Sequence, residues 1–420
     1  MVERDNNKLF LFLGTTGTQK EVALSRLGEW AQTHGRPKPL QIDFENRIEE
    51  LYGPGLLFQY LDQPNPSHQI ADWEEAFNQV SGEVKQERKR KDIYLAIHGA
   101  LLRKDYGVRS PIIFEKIASL KPDAIITLID DVFVNWHYTE LRASGGQDHK
   151  GTPTLAQLLI GRRHEILIAD LLTNFLEYKF SRPRKPNYVL ALRHSVETLG
   201  RLLYGDNITK VYVSFPISKP RRKQQQKNCK AMNEVNDMLK QALEFQKNNK
   251  NLVLFLPVTI DEMLIANIGK TASDKKEDAL VKLKLSSRWP IPEVLGLTLR
   301  NEDALPDIIQ IPAWQIDAID GLINDEIRTH DFRMIDQSQK VLVLSKYCEK
   351  EKSSGVSAEI DYSVTCLRRV EAYQVSNWLP AGMNWASPSG TGPFAEGTVR
   401  AEYVGYHTCL EDALNALLNN

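Results

Sequence analysis

The run Val341-Leu-Val-Leu344, followed after a polar interval by Ser353-Ser-Gly-Val-Ser-Ala-Glu-Ile-Asp-Tyr362, decides the fold of the carboxyl-terminal half. A short β-branched and leucine run, a polar loop, then Gly355 and a helix carrying Glu359 read as strand, turn and helix in an α/β sheet. Ligands of open parallel sheets bind at the carboxyl edge of the strands. Upstream, Asp331-Phe-Arg-Met-Ile-Asp-Gln-Ser338 places a second acid on the preceding helix. Asp331 and Glu359 are therefore expected to converge on one crevice.

Outward from this stretch, apolar runs alternate with helical segments, the pattern of parallel α/β sheets. In the first half the runs predict strands over 9–13, 39–42, 93–97 and 124–129, with helices over 20–33, 73–90, 112–119 and 156–178. Leu158, Ile166, Ala169, Leu172 and Leu176 give the last helix its apolar stripe. The segment 181–187, with two prolines and charged residues, is the expected domain boundary, and a helix over 189–204 is expected beyond it. The second half is expected to hold strands over 210–218, 252–257 and 370–375, and helices to about 245, over 311–329 and over 410–418. The charge-rich stretch 270–284 reads as a mobile insertion, and 380–398 as a Gly/Pro/Ser-rich tail. The expected division is 1–180, a linker with a helix over 181–207, a second domain over 208–375, and a tail over 376–420.

At 420 residues the chain exceeds the size at which one core usually stops growing, so two domains are the default. A hydrophobic content of 42%, a charged content of 25% and a formal charge of -1 describe an ordinary globular protein, with no nucleic-acid partner indicated. The basic run Lys219-Pro-Arg-Arg-Lys223 reads as a flexible loop more readily than as a phosphate clamp. Four cysteines without metal-binding spacing imply reduced thiols, a cytoplasmic setting and no metal site. The amino-terminal run 9–13 is too short for a membrane span or signal core, so no membrane association is expected.

The first strand runs into Gly14-Thr-Thr-Gly-Thr-Gln-Lys-Glu21 and then a helix, the setting in which backbone amides and a lysine cradle phosphate. Gly14, Gly17 and Lys20 fit that spacing; a tight turn without a ligand fits it equally. Over 8–180 this half resembles P-loop nucleotide kinases of the adenylate kinase-like kind. The order of Gly14–Glu21, Ile42-Asp-Phe-Glu-Asn-Arg47, Ile93-Tyr-Leu-Ala-Ile-His-Gly99, Thr127-Leu-Ile-Asp-Asp131 and Arg162-Arg-His-Glu-Ile-Leu-Ile-Ala-Asp170 carries the resemblance. It implies ATP, with magnesium, at Gly14, Gly17 and Lys20 and phosphate contacts from Arg162 and Arg163. Gln19 stands where that family has its second glycine, and Glu21 where it has a magnesium-binding hydroxyl. A degenerate nucleotide-binding or purely structural domain is expected.

The second half, over 208–375, resembles the nucleoside 2-deoxyribosyltransferase family through Val211-Tyr-Val-Ser-Phe-Pro-Ile-Ser218, Asp331 and the spacing of Gly355 and Glu359. The resemblance implies a flavodoxin-like sheet, Glu359 as nucleophile at the anomeric carbon, and Asp331 and Tyr212 as its partners. Ser214, Pro216, Arg333, Ser354 and Gly355 are expected to contact the substrate. Ser353 and Ser354 replace an aspartate that the transferases carry before the glycine, which leaves base specificity open. Near a helix N-terminus, Glu359 is expected to be ionised, although a plain helix-capping role fits its position too. The fold class expected for the whole chain is α/β, with two three-layer parallel-sheet domains, P-loop kinase-like and then flavodoxin-like. The expected activity is hydrolysis or transfer at the N-glycosidic bond of a nucleoside or nucleotide. The alternatives are a non-catalytic nucleotide sensor and a nucleotide kinase. A small-molecule partner and a possible homo-oligomer complete the expectations.

Overall fold

A computed structural model describes residues 7–53, 66–103, 107–144, 153–180, 185–225, 228–272, 279–379, 381 and 403–419. The chain forms two compact units, each assembled from separate stretches of sequence. The first takes 1–196, 265–285 and 298–321; the second takes 197–264, 286–297 and 322–420. Two stretches within 208–375 thus cluster with the first unit. Of the expected boundary, 181–184 lie outside the described residues, as do 273–278 of the expected insertion and all but Ala381 of 380–398.

The first unit is built on five parallel strands, Leu9–Leu13 (β1), Leu40–Asp43 (β2), Ile93–Ala96 (β3), Ala124–Ile129 (β4) and Asn187–Ala191 (β5), in the order β2-β3-β1-β4-β5. Parallel neighbours need long crossovers, and the helices between the strands supply them. All five residues of β1 are buried, which is why it reads as an unbroken apolar run. Asp43 caps the helix Phe44–Tyr52 by accepting from the backbone N–H groups of Glu45 and Asn46 at 2.9 and 3.2 Å.

Two expected helices are divided. Val189 and Leu190 lie in β5, and the helix there begins only at Val196. Tyr188, Val189, Leu190 and Ala191 are all buried, and periodicity does not separate such a strand from a buried helix. Ile311 likewise belongs to the strand Ile308–Pro312, paired antiparallel with Leu280–Lys284, which places a strand in part of the expected insertion. Pro312, lacking an N–H, closes that strand and opens a short helix, Ala313–Asp317, before Asp320–Asp336. Ile316, Ile319 and Ile323 are buried nonetheless.

The second unit has five parallel strands, Thr209–Ser214 (β6), Leu252–Phe255 (β7), Lys340–Leu344 (β8), Arg369–Tyr373 (β9) and Val404–His407 (β10). Their spatial order is β7-β6-β8-β9-β10. Numbered within the unit, this is 2-1-3-4-5, a doubly wound order whose direction reverses between β6 and β8. Val341, Leu342, Val343 and Leu344 are fully buried, and the loops after β6 and β8 open at the reversal. No helix among the described residues is long and apolar enough to cross a membrane.

Candidate active site

Tyr212 and Ser214 stand two residues apart on β6, so their side chains share one face of the sheet. Their partners in register are Val341 and Val343 of β8. Two helices bring acids to that face, Asp320–Asp336 with Asp331 and Ser354–Thr365 with Glu359. The second helix starts at Ser354, capped by the Ser353 hydroxyl accepting from Val356 N–H at 3.4 Å. Glu359 therefore lies in the second turn, away from the strongest field of the helix terminus. Phe332 stacks on Tyr362 with ring centroids 4.2 Å apart, and the Tyr362 hydroxyl donates to Asp336 at 2.8 Å. These contacts tie together the helices that carry the two acids.

Glu359 is buried and accepts a short hydrogen bond from the Ser214 hydroxyl. Burial pushes its carboxyl well above the usual range, and the neighbouring Asp331 charge pushes it further. This corrects the expectation of an ionised glutamate: desolvation outweighs what a helix terminus offers. Asp331 is raised to about 7, chiefly by burial, with the Tyr212 hydroxyl opposing the shift. The two acids therefore titrate as a pair that retains a proton near neutrality. Tyr212 is fully buried in the field of both carboxyls, and its phenol is raised by burial first and then by the two acids. Its hydroxyl completes no well-formed hydrogen bond with either of them.

The acids open into a pocket of about 460 Å³ at the carboxyl ends of β6 and β8. Pro216, Ser354 and Gly355, expected to contact substrate, are among its lining residues. A Cβ built on Gly355 would meet nothing within 4 Å, so the absent side chain leaves room over the helix. Ser214 sits behind Glu359 and positions it. Arg333 is not part of the lining, whereas Arg328 is. On a helix, positions three apart share a face and positions two apart do not, so Arg328 accompanies Asp331 and Arg333 turns aside. Arg222, Lys219 and Lys352 also line the pocket. The basic run that contains Arg222 is a helix, Ser218–Gln225, anchored by a buried Arg221–Asp261 ion pair at 2.5 Å. Lys219 is paired with Glu351 at 2.5 Å, while Arg222 and Arg328 form no salt bridge among the described residues. Trp289, fully buried, donates from its indole to Asn236 at 2.9 Å and is a packing residue.

At the carboxyl edge of the first unit's sheet, Lys20 is buried. Its ammonium donates to the Gly14 carbonyl at 3.1 Å and lies 3.0 Å from His98 Nε2. His98 Nδ1 is 3.3 Å from Glu165, which also accepts from the backbone N–H groups of Gly99 and Ala100 at 2.8 and 3.2 Å. Burial and the nearby lysine hold His98 below its ordinary pKa. Gly17 has φ +84°, and a Cβ there would stand 2.4 Å from the Asn135 carbonyl oxygen. Gln19 takes a left-handed φ of 44°, at the position of the missing glycine. The loop is thus closed against the protein's own carbonyl oxygens, and Glu21 points to solvent. These residues do not fit a magnesium–triphosphate. The two arginines part company: Arg162 is buried and donates to the Asp130 carbonyl at 3.3 Å, while Arg163 is exposed. Among the described residues no group of three His, Cys, Asp or Glu side chains is placed to hold a metal.

No protein-family model and no curated protein matches this chain.

Proposed function

We propose that the second unit cleaves or exchanges the N-glycosidic bond of a nucleotide, with Glu359 as nucleophile. The observation that carries this reading is the pair of acids, buried Glu359 and partly buried Asp331, facing a pocket at a reversal of strand order. The 2-1-3-4-5 order supports a flavodoxin-like assignment for this unit. In the first unit, the central position of β1 before the Gly14–Lys20 loop supports a P-loop kinase-like origin without its chemistry.

Breaking an N-glycosidic bond develops positive charge on the sugar, which a carboxylate stabilises or captures. In the proposed first step the single proton retained by the pair lies on Asp331, and Glu359, left as the carboxylate, attacks the anomeric carbon. The C–N bond breaks, its electron pair leaves with the base, and the proton retained by Asp331 goes to the departing nitrogen. In the second step Asp331, now a carboxylate, takes a proton from water or from an acceptor base. That nucleophile displaces Glu359 from the sugar, and the carboxylate is regenerated. Tyr212, kept protonated, donates to Glu359 as its charge returns, and Ser214 holds its other face. Arg222 and Arg328 favour a phosphorylated sugar over a neutral nucleoside, because guanidinium forks match phosphate oxygens.

Incubation with nucleosides, nucleoside 5′-monophosphates and NAD, with chromatography for free base, tests this reading. Release is expected with a monophosphate, and Glu359→Gln is expected to lose it by on the order of 10³-fold or more. A folded protein that releases base from none of these substrates, or equally well after Glu359→Gln, would overturn the proposal.

A further inference from the structure

The helix Leu155–Phe180, in the first unit, has a second apolar face besides the one that builds its core. Ile160, Leu167, Leu171 and Tyr178 are 42%, 51%, 46% and 87% exposed. With His164 and Asn174 between them, these residues recur at alternating steps of four and three, the seam of a helix that packs along another helix. A 26-residue helix is about 39 Å long at 1.5 Å per residue, enough for all six positions to meet a partner.

The pattern also reads the same from both ends: apolar, polar, apolar, apolar, polar, apolar, centred on Ala169. A two-fold contact between identical chains requires this, since residue i must meet j while j meets i. Turned end for end, Ile160 faces Tyr178, His164 faces Asn174 and Leu167 faces Leu171. Charge on the flanking edge is centred one residue further on, at Asp170, which is partly buried and accepts from the Asn187 amide at 2.7 Å. Arg163 and Glu177 are exposed along one edge of the seam, near its opposite ends. Antiparallel pairing brings each arginine to the other copy's glutamate, twice per dimer. Parallel pairing would set Ile160 on Ile160 and keep the opposite charges at opposite ends.

We propose that this face binds a second copy of the chain, with the two helices antiparallel. The inference does not depend on the reaction assigned to the second unit. Sedimentation velocity over a wide range of protein concentration tests it on the full chain. A monomer–dimer equilibrium is expected, and Leu167→Glu or Leu171→Glu is expected to leave a monomer with unchanged circular dichroism. Arg163→Glu and Glu177→Arg should each weaken the dimer about tenfold, corresponding to about 1.4 kcal/mol. The double exchange should restore it. A chain that is monomeric at every concentration, or a dimer indifferent to Leu167→Glu, overturns the proposal. Charge exchange without rescue overturns the antiparallel arrangement, and association of the wild type only with a different protein overturns the assignment to a second copy.

Discussion

Both units place buried charged residues at the carboxyl edge of a parallel sheet, and they treat them in opposite ways. Around Lys20, an ammonium, an imidazole, a carboxylate and backbone N–H groups answer one another within hydrogen-bond reach. Around Glu359, a buried glutamate and a partly buried aspartate face one pocket; His330 Nδ1 stands 3.8 Å from Asp331, and among the described residues the lysines and arginines of the pocket pair with neither acid. A folded chain tolerates a weakly compensated acid pair at a cost in stability, whereas a matched cluster supports the fold. The same edge of the same class of sheet therefore carries a matched polar cluster in one unit and, under the proposed function, an acid pair poised for chemistry in the other.

Asp331→Asn tests this contrast with the largest effect. Base release should fall by roughly 10²–10⁴-fold, the usual contribution of a general acid. Stability should move the other way. The folded pKa, about 7, lies above the ordinary 3.8, so the native state holds a proton that the unfolded chain releases. Stability contributed by that protonated state is fully present at low pH and is lost as pH rises through this window. Removing the acid should then stabilise the protein at pH 7 by on the order of 2–4 kcal/mol, with the gain vanishing toward pH 4. Urea unfolding of both proteins at several pH values measures it. The same proton predicts that wild-type turnover declines above about pH 7, read from a pH–rate profile.

A smaller effect sharpens the other half of the comparison. Lys20→Met should destabilise the first unit by about 1–3 kcal/mol, because it strips a buried network of its donor. Base release in the folded protein should be unchanged. Chemical denaturation paired with the release assay separates the two outcomes, and a loss of turnover without a loss of stability would give Lys20 a different role. The smallest effect is expected at Gln19, whose left-handed backbone is strained for any residue with a Cβ. Gln19→Gly should stabilise by about 0.5–1 kcal/mol, visible as a small rise in unfolding midpoint.

Local chemistry made much of this legible in the sequence. The run Leu9–Leu13 appears as β1, and Ala124–Ile129 as β4, because strands buried on both faces leave unbroken apolar stretches. The stretches around Val189 and Ile311 were ambiguous for the same reason: an apolar run of a few residues suits a strand and a helix equally until its neighbours are known. In the pocket, Glu359, Asp331, Pro216 and Gly355 were readable from type and order. Arg222 was not, since a basic run looks the same whether it is a loop or a helix beside a pocket. Arg328 carried a signal that was available, its three-residue offset from Asp331.

The sequence by itself determined the α/β class, the core strands and the identity of the acids, because hydrophobic period and residue chemistry are local properties. The tertiary structure decided their state. Glu359 was expected to be ionised by its place near a helix terminus, yet burial and the approach of Asp331 push its carboxyl well above the usual range. The Gly14–Lys20 loop had the spacing of a phosphate cradle, yet Asn135, Gly14 and His98 occupy what its glycine and lysine would offer a ligand. Protonation and access depend on which distant side chains and backbone carbonyls arrive at a point in space. Desolvation and Coulomb interactions act across that space, and the order of residues along the chain does not specify them locally.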